Sequence, residues 1–457
     1  MDIFEIENRL FEIPLFGKKV GHKNIERMLQ EIDKHLPIHE FLHRVPVIHV
    51  TGTNGKGSVC KILSTLYTNQ GLEVGLFTSP HIDRITERIQ IRNQNVDVDH
   101  FEKAYHMVKG ISEQLHQEEL YPTFFEWMFS MALICFYLRN CNFLIIEVGI
   151  GGRLDTTNVL PKKILSVITP IGMDHQKILG NTIEEVAREK AGIILNAENV
   201  VYHNEKEEVI KIIENAAKCF SSEIFPVLPL NKKIHRIEDK RIDFSIHNKY
   251  YNYEKLLLNN GALFQVDNVA IALTCIYALQ KEYPICEEEV RHGIESFYWP
   301  GRYENIYRDV YIDGAHNVHG VKALIETLQH NSSKQTRFHQ EMKKYELLIG
   351  FKEGKDFAEM IHLFLDSNLF QSIYITGLST QKSVSKESVY EAIHQQGFLK
   401  DMENIHMVED TKGFLYSYIE RNNHPVLIGT GSLYLVSELR NYIQQYRLQK
   451  EEQNDTI

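Results

Sequence analysis

The chain has 457 residues, 43% hydrophobic and 24% charged, with a formal net charge of −11 at pH 7. This length exceeds what one hydrophobic core usually supports, so we expect two or three domains. The acidic balance argues against nonspecific nucleic-acid binding, and we expect no nucleic-acid partner. The six cysteines lack CxxC spacing, which indicates neither a zinc cluster nor a disulfide framework and favours reduced thiols in the cytoplasm.

Neither the first residues nor the apolar run at residues 129–138 predicts a membrane segment. The first residues are acidic and lack the apolar core of a secretory signal. The apolar run at residues 129–138 is too short to span a bilayer and is better interpreted as a core helix. We therefore expect a cytoplasmic protein without a membrane partner, and we take a monomer as the working expectation.

Strand-like runs alternate with helical patterns along the chain, which predicts an α/β architecture. Several of these runs are apolar throughout, as is typical of parallel strands covered on both faces. A new strand-helix series begins after Pro300 and Gly301, which predicts domains at residues 1–298 and 299–457. The predicted strands are 47–50, 143–148, 164–169, 310–313, 346–350, 372–376 and 425–429.

The first strand runs into a glycine-rich turn, GTNGKGS at residues 52–58. Glycines let the backbone N–H groups curl towards phosphate oxygens, and the following helix adds the positive end of its dipole. Lys56 adds a mobile positive charge. The Walker pattern is imperfect because Gly57 stands where a hydroxyl normally follows the lysine, which displaces that hydroxyl to Ser58. The segment predicts binding of a nucleotide triphosphate.

Three strand-end residues are candidate metal ligands. Glu147 ends a buried strand, and ligands of open α/β sheets bind at the carboxyl ends of strands, where Mg²⁺ on ATP needs oxygen ligands. Ser79 follows a short apolar run and could supply the hydroxyl missing at position 57. His175 could bind a second divalent ion through a ring nitrogen, although a lone histidine is more often structural.

Lys190 lies on the apolar stripe of a helix that opens with a capping box at Thr182. A charge on this stripe is costly unless it is paired. One interpretation is a lysine that snorkels to solvent from the edge of the stripe. The other is a lysine whose charge is used, or chemically changed, near the metal site.

Polar residues also follow strands in the second half of the chain. Asp313 ends a strand and is followed by His316, and Ser432 closes the last strand. Arg302, just upstream, has a planar and permanent charge suited to phosphate or carboxylate. We expect this edge of the smaller domain to face the nucleotide domain, with the substrate in a cleft between them.

Taken in order, these segments resemble the folylpolyglutamate synthase / dihydrofolate synthase family of the Mur ligase superfamily. The resemblance covers nearly the whole chain. The matching segments are GTNGKGS at 52–58, TSPH at 78–81, TFFE at 123–126, EVGIGGRLD at 147–155, DH at 174–175, REKAG at 188–192, WPGR at 299–302, DGAHN at 313–317 and TGSLY at 430–434.

The resemblance implies a P-loop-type, mostly parallel-sheet ATPase domain followed by a smaller Rossmann-like α/β domain. It implies an ATP-dependent ligase that adds L-glutamate to the terminal carboxylate of folate, and of dihydropteroate, through an acyl phosphate. Whether one or both acceptors are used stays open. ATP, L-glutamate, the acceptor and two Mg²⁺ ions are the implied ligands.

The resemblance also implies residue roles. Lys56, Lys190 and His316 are the implied catalytic residues, with Lys190 carbamylated. The implied ATP contacts are Asn54, Gly55, Lys56, Gly57, Ser58, Asn268, Arg302 and Asp313. The implied magnesium ligands are Ser79, Glu147 and His175. The implied substrate contacts are Phe125, Arg153, Asp155, His316 and Ser432.

The chain departs from the family pattern at Thr86, where Asn is frequent, and at residues 380–384, where an Arg-Ala pair is usual. Both changes leave the ATP-binding segments intact. A peptidoglycan-precursor ligase, acting on another carboxylate, is disfavoured because only 51 residues precede Gly52. A non-catalytic nucleotide-binding regulator is disfavoured by the retained polar residues, and a plain P-loop kinase by the second domain.

Overall fold

The computed structural model describes residues 3–15, 17, 21–238, 240–335, 345–380, 382–395 and 404–454. The chain divides into two compact units. The first comprises Met1–Lys233, Phe244–Leu257 and Asp267–Phe297, and the second comprises Ile234–Asp243, Leu258–Val266 and Tyr298–Ile457. Residues 234–243 and 258–266, which the sequence assigned to the larger domain, therefore group with the second unit.

The first unit is built on a sheet of eight strands. They are β1 (Val47–Thr51), β2 (Val74–Phe77), β3 (Ile89–Ile91), β4 (Gln94–Asn95), β5 (Phe143–Glu147), β6 (Lys163–Ile168), β7 (Ala197–Tyr202) and β8 (Glu223–Pro226). Their order is β4-β3-β2-β5-β1-β6-β7-β8. Pairs from β2 to β8 are parallel, whereas β3 pairs antiparallel with β2 and β4. The carboxyl ends of β2, β5, β1 and β6 therefore share one edge.

The described residues contain eleven α-helices between positions 3 and 296. They are α1 (Ile3–Phe11), α2 (Lys23–Asp33), α3 (Ile38–Arg44), α4 (Lys56–Asn69), α5 (Val98–His116), α6 (Phe124–Leu138), α7 (Gln176–Leu179), α8 (Ile183–Ala191), α9 (Glu207–Cys219), α10 (Leu263–Ala278) and α11 (Glu287–Ser296). The apolar α6 contacts α2, α3 and α5 and forms a core with them. In the part of the chain described, no helix is both long and apolar enough to cross a membrane.

Two helix starts show why the chain folds locally as it does. At the start of α8, Thr182 Oγ1 accepts a hydrogen bond from Glu185 N at 3.2 Å, and Glu185 Oε2 accepts one from Thr182 N at 3.2 Å. This is the predicted capping box. Thr123 and Glu126 form the same arrangement at the start of α6. Both boxes satisfy N–H groups that the first turn of a helix leaves without partners.

Three further strands form a separate sheet in the order β11-β10-β9. They are β9 (Asn231–Glu238), β10 (Arg241–His247) and β11 (Asn252–Leu258). These strands were not among the predicted ones, although β10 alternates the buried Ile242, Phe244 and Ile246 with polar residues, which is typical of a strand with one buried face.

The second unit contains a sheet of six strands, β12 (Glu304–Tyr307), β13 (Val310–Ile312), β14 (Tyr345–Ile349), β15 (Phe370–Thr376), β16 (Ile405–Val408) and β17 (Val426–Thr430). Their order is β12-β13-β17-β14-β15-β16, and all pairs except β12 with β13 are parallel. Its helices are α12 (Val318–Gln335), α13 (Phe357–Asp366), α14 (Lys386–Gln395), α15 (Thr411–Glu420) and α16 (Leu433–Asn454).

The predicted α/β class with mostly parallel sheets is confirmed. All seven predicted strands are present as β1, β5, β6, β13, β14, β15 and β17, with ends that shift by at most two residues. Long apolar runs predict strands well because both faces of a parallel sheet are covered.

Candidate active site

The loop between β1 and α4 passes very close to two polar side chains. Gly52 has φ +151°, and a Cβ there would lie 1.8 Å from Thr169 Oγ1. Gly55 has φ +85°, and a Cβ there would lie 2.4 Å from Asn268 Oδ1. Both positions need glycine, for its backbone conformation and for its lack of a side chain. Asn268 of α10 therefore lies against the phosphate loop, and its role in ATP binding stays a prediction.

The segment after β6 braces this loop. Thr53 N donates to the carbonyl oxygen of Pro170 at 3.0 Å, and Thr53 Oγ1 donates to that of Gly172 at 2.9 Å. Thr169 Oγ1 donates to the carbonyl oxygen of Asn54 at 2.7 Å. These bonds hold the loop in a defined curve before any phosphate binds, at the N-terminal end of the 14-residue helix α4, which contains Gly57 and the buried Ser58.

Two lysines share one carbonyl oxygen of the loop. Lys56 Nζ donates to Gly52 O at 3.2 Å and to Thr53 O at 3.3 Å. Lys190 Nζ donates to Gly52 O at 2.7 Å. Lys190 is only 4% exposed, so its side chain does not reach solvent and the snorkelling interpretation is wrong.

The environment of Lys190 favours its neutral form. Burial, and then the charge of Lys56, lower the pKa of Lys190 to about 7, while Asp174 and Asp155 oppose this shift. A lysine with this pKa is a substantial fraction neutral near pH 7. The neutral amine is the nucleophilic form, so Lys190 is suited to covalent chemistry that an ordinary lysine resists.

Glu147 and Ser79 meet at the shared strand edge. Glu147 is the last residue of β5, is buried, and accepts a hydrogen bond from Ser79 N at 3.0 Å through Oε2. Ser79 is partly exposed and follows β2, the neighbour of β5. The structure therefore brings these two predicted ligands together, with the contact made by the backbone N–H of Ser79.

His175 lies in the loop after β6, in a left-handed conformation with φ +51°. Its N donates to Asp174 Oδ1 at 2.7 Å, and its Nε2 lies 4.0 Å from Asp174 Oδ2. Over the described ranges, no group of three or more His, Cys, Asp or Glu side chains is arranged to hold a metal. The single carboxylate of Glu147 suits Mg²⁺, which usually takes one or two protein carboxylates and completes its shell with water and substrate phosphates.

The second glycine-rich loop, at residues 149–155, is shaped by Asp155. Its Oδ1 accepts hydrogen bonds from Thr157 N at 3.0 Å and Thr157 Oγ1 at 2.6 Å, and its Oδ2 accepts one from Ile150 N at 3.0 Å. Burial raises the pKa of this carboxyl. Of the two interpretations of this loop, a turn or a site lining, Asp155 clearly serves the turn.

Arg153 and Phe125 lie beside the same loop. Arg153 is exposed, and its Nη2 lies 2.6 Å from Glu189 Oε1 on α8. Phe125, in the first turn of α6, packs its ring closely on Gly149. A Cβ added to Gly149 would lie 2.7 Å from Phe125 Cζ. The ring is partly exposed next to the end of β5, whereas the Arg153 guanidinium is already paired. The substrate roles of both stay predictions.

In the second unit, Asp313 organises the end of β13. Its Oδ2 accepts from Tyr303 N at 2.9 Å, and its Oδ1 accepts from Ala315 N at 2.9 Å. Burial raises the pKa of Asp313 to about 6, and the charge of Arg302 opposes this rise. Arg302 lies over the backbone of Gly314, where a Cβ would be 2.0 Å from Nη1. The two predicted ATP contacts are therefore neighbours.

His316 and Ser432 lie at adjoining strand ends. His316 Nδ1 is 2.7 Å from Gly314 O, and since a carbonyl only accepts, Nδ1 carries the hydrogen of the neutral ring. The loop of Ser432 is tied to the same turn by a bond from Gly431 N to Ala315 O at 3.1 Å. Ser432 is buried, and its Oγ accepts from the N–H of Tyr434 at 3.1 Å.

Comparisons with known proteins identify the family of this chain. Residues 302–443 match the family model described as the C-terminal domain of dihydrofolate synthetase. The Bacillus subtilis dihydrofolate synthase/folylpolyglutamate synthase is 30% identical over 414 residues, covering 88% of this chain and 91% of that protein. The chain belongs to the dihydrofolate synthase/folylpolyglutamate synthase family.

Solved structures of this family share the fold. The Thermotoga maritima folylpolyglutamate synthase is 26% identical, with a TM-score of 0.79, and the match covers 97% of this chain and 96% of that one. A folylpolyglutamate synthase complex with AMPPCP, an ATP analogue, also has a TM-score of 0.79 at 26% identity and covers 97% and 100% of the two chains. The present chain, as a member of this family, is an ATP-dependent ligase.

Sequence reasoning missed a cluster that supports the family's WPGR segment. Glu304 Oε2 accepts from Gly301 N at 2.7 Å, and its Oε1 accepts from Tyr298 OH at 2.6 Å and Arg440 Nε at 3.2 Å. This carboxylate holds the turn from which Arg302 extends. The contact with Arg440 has no local signal in the sequence, because the two residues are 136 positions apart.

Proposed function

We propose that this protein adds L-glutamate to the terminal carboxylate of folate and of dihydropteroate, converting ATP to ADP and phosphate. The observation that carries the proposal is the phosphate loop with Lys56 and Lys190 on the same carbonyl, beside the Glu147 strand end. The names of the relatives support both acceptors, since one name covers dihydrofolate and folylpolyglutamate synthesis.

ATP is bound through its phosphates at the N-terminus of α4. The N–H groups of residues 54–58, at the start of this helix, are proposed to bind the phosphates, with Lys56 as the mobile cation and Asn268 as a neighbouring amide. Arg302 and Asp313 are proposed as further ATP contacts. The permanent charge of Arg302 suits phosphate, and the buried carboxylate of Asp313 suits a hydroxyl donor.

Ser79, Glu147 and His175 are proposed to hold two Mg²⁺ ions. Bound Mg²⁺ offsets the negative charge that develops on the phosphoryl oxygens during transfer. Glu147 contributes a carboxylate whose orientation is held by the N–H of Ser79. His175 contributes an exposed ring next to Asp174.

The reaction has two steps. The acceptor carboxylate attacks the γ-phosphorus, which forms an acyl phosphate and breaks the bond to the leaving ADP. The amine of glutamate then attacks the acyl carbon, forms the amide and expels phosphate, after losing a proton. Lys56 stabilises the charge on the transferred group. We propose that His316 and Ser432 bind the incoming glutamate, and that His316 Nε2 accepts the amine proton, since Nδ1 carries the ring hydrogen.

We also propose that Lys190 is carbamylated. The protonated amine first loses a proton. The neutral amine then attacks CO₂, a carbon–nitrogen bond forms and a second proton is released, so a buried cation becomes an anion. The pKa of about 7, which burial and Lys56 produce, makes the reactive neutral form available near pH 7. An anion at this position would pair with Lys56, whose Nζ binds the same carbonyl as Lys190 Nζ.

The test is an acceptor assay. Purified protein is incubated with ATP, Mg²⁺, labelled glutamate and either dihydropteroate or tetrahydrofolate, each in its own reaction. We expect equal amounts of ADP, phosphate and glutamylated product. ADP release that is independent of every pteroate and folate acceptor would reject the proposal, and product from one acceptor alone would assign the chain to that acceptor.

The protein is further proposed to act as a cytoplasmic monomer. All six cysteines are free thiols in the structure, which is typical of proteins from a reducing compartment. Light scattering coupled to gel filtration should give 53.3 kDa, the mass of one chain. A mass of twice that value would reject the monomer.

A further inference from the structure

A buried chain of hydrogen bonds links strand β1 to the second glycine-rich loop. His49 Nε2 lies 2.8 Å from Thr157 Oγ1, and Thr157 Oγ1 lies 2.6 Å from Asp155 Oδ1. All three side chains are buried. His49 belongs to the strand that leads into the phosphate loop, and Asp155 belongs to the loop that follows Glu147.

The direction of each bond is determined by its acceptor. The carboxylate of Asp155 can only accept, so Thr157 uses its single hydroxyl hydrogen to donate to it. Thr157 Oγ1 must then accept from His49, and the hydrogen of the neutral ring is on Nε2. The other ring nitrogen, Nδ1, is buried without a hydrogen-bond partner among the described residues.

A histidine at this position is costly if it only fills space. The side chains around it in β1, Val47, Ile48 and Val50, are apolar and fully buried. An apolar side chain at position 49 would avoid both the burial of an imidazole and the unpartnered Nδ1. The hydrogen bond from His49 Nε2 to Thr157 Oγ1 is therefore the feature that accounts for a histidine at this position.

The second glycine-rich loop is tied to β1 at two points, through the His49–Thr157–Asp155 hydrogen bonds and through Thr51. Asp155 holds the loop through Ile150 N, and Thr51 Oγ1, two residues after His49, donates to Gly151 O at 2.6 Å. Side chains two residues apart lie on the same face of a strand. The loop that starts two residues after Glu147 is thereby set against the strand that ends at the phosphate loop.

We infer that His49 is a positioning residue for the ligase reaction. Its Nε2–H donates to Thr157, which donates to Asp155, and these bonds hold the second glycine-rich loop, which follows Glu147, against the phosphate loop. The inference rests on the proposed function. The effect should appear in kcat, because a displaced metal-binding edge weakens phosphoryl transfer after ATP has already bound.

The main test compares His49→Gln with His49→Asn. The amide nitrogen of Gln reaches the place of Nε2, whereas that of Asn reaches only the place of Nδ1. We expect His49→Gln to keep kcat within about threefold of wild type and His49→Asn to lose about 10- to 100-fold, with little change in KM for ATP. Melting temperatures of both variants are measured alongside, and Thr157→Ser against Thr157→Val repeats the comparison at the acceptor.

Equal losses in the Gln and Asn variants, or losses that simply follow melting temperature, would overturn the inference while an active wild type leaves the proposed function intact. An inactive wild type would instead reject the proposed function. A second measurement is independent of activity: ¹⁵N NMR of histidine-labelled protein, with the His49 signals assigned by their loss in His49→Gln. We expect a neutral ring with the hydrogen on Nε2, and a hydrogen on Nδ1 would overturn the inference.

Discussion

Lys190 Nζ lies 2.7 Å from the carbonyl oxygen of Gly52, although 138 residues separate them in the sequence. This bond joins α8 to the first residue of the phosphate loop. Lys56 binds the same oxygen, so two amines converge where the γ-phosphate chemistry is proposed. The burial of Lys190, and then its repulsion by Lys56, explain why the pKa of Lys190 falls to about 7.

Replacing Lys190 by alanine should remove most of the ligase activity. We expect a loss of about 100-fold or more in kcat, because the charge that a carbamate supplies is lost. Short carboxylates such as formate or acetate should restore part of it by entering the space left. The matched control is Lys163→Ala, which removes another buried lysine whose pKa burial lowers to about 8. Short carboxylates should not rescue this control. Wild-type turnover in Lys190→Ala would show that the lysine only packs.

The stability of the folded chain should reveal the pKa of Lys190. Burial lowers this pKa from 10.5 to about 7. Below pH 7 the lysine is protonated in both the folded and unfolded states, so folding carries the full cost of a buried cation. Between pH 7 and 10.5 the unfolded chain holds a proton that the folded chain has lost, so stability rises with pH. In CO₂-free buffer, wild type should therefore gain free energy of unfolding relative to Lys190→Met across this range. A difference that is constant with pH would contradict the pKa.

Asp313 should produce an acidic limb in the pH dependence of kcat/KM for ATP. Burial raises its pKa to about 6, so the carboxylate proposed to contact ATP is lost as pH falls through this value. Arg302 opposes the rise, and Arg302→Gln should therefore move the limb to higher pH. Asp313→Asn should lower activity and remove the limb. A limb that persists unchanged in Asp313→Asn would assign it to another group.

Adding one methyl group to Gly55 should abolish tight ATP binding. The new Cβ would lie 2.4 Å from Asn268 Oδ1, and the φ of +85° is strained for alanine. We expect KM for ATP to rise about tenfold or more, since the loop must move away from the phosphate position. Gly71→Ala is the control, because its φ is +84° but nothing lies within 4 Å. This control should lose about 1 kcal/mol of stability and keep its KM for ATP. Equal effects at both glycines would reject the close-approach explanation.

Glu304→Gln should weaken the use of ATP through Arg302. The variant loses the ion pair with Arg440, whose Nε lies 3.2 Å from Glu304 Oε1, and loosens the turn at Gly301. We expect a rise of about tenfold in KM for ATP, equivalent to about 1.4 kcal/mol. Glu287→Gln breaks a more exposed ion pair with Arg291 and should change stability by less than about 1 kcal/mol without changing KM. An unchanged KM in Glu304→Gln would show that Arg302 is held by other contacts.

Some features were predictable because their cause is local in the chain. The apolar runs of β1 and β5 indicate covered parallel strands. Polar residues at strand ends, such as Glu147 at the end of β5 and Asp313 after β13, indicate a ligand-binding edge. The capping box at Thr182 has both of its partners within four residues. The spacing of glycines around Lys56 is likewise a local requirement of backbone curvature.

Other features depend on partners that the chain brings together only when folded. The carboxylate of Asp155 accepts bonds from Ile150 and Thr157 in its own loop, and its role as a substrate contact stays a prediction. Arg153 pairs with Glu189, 36 residues away. No spacing rule reports such pairs, because the sheet order determines which strand ends become neighbours.

By itself, the sequence determined the α/β class, the strand-helix alternation and the residues of the phosphate loop, because secondary structure and glycine-rich turns follow from short-range periodicity and backbone conformation. Only the tertiary structure decided that Lys190 is buried against Gly52 O, that His49 donates through Thr157 to Asp155, and that Glu304 supports Arg302. These outcomes depend on burial and on charges from distant segments, and those quantities exist only after β1, β5 and β6 lie side by side and α8 packs against them.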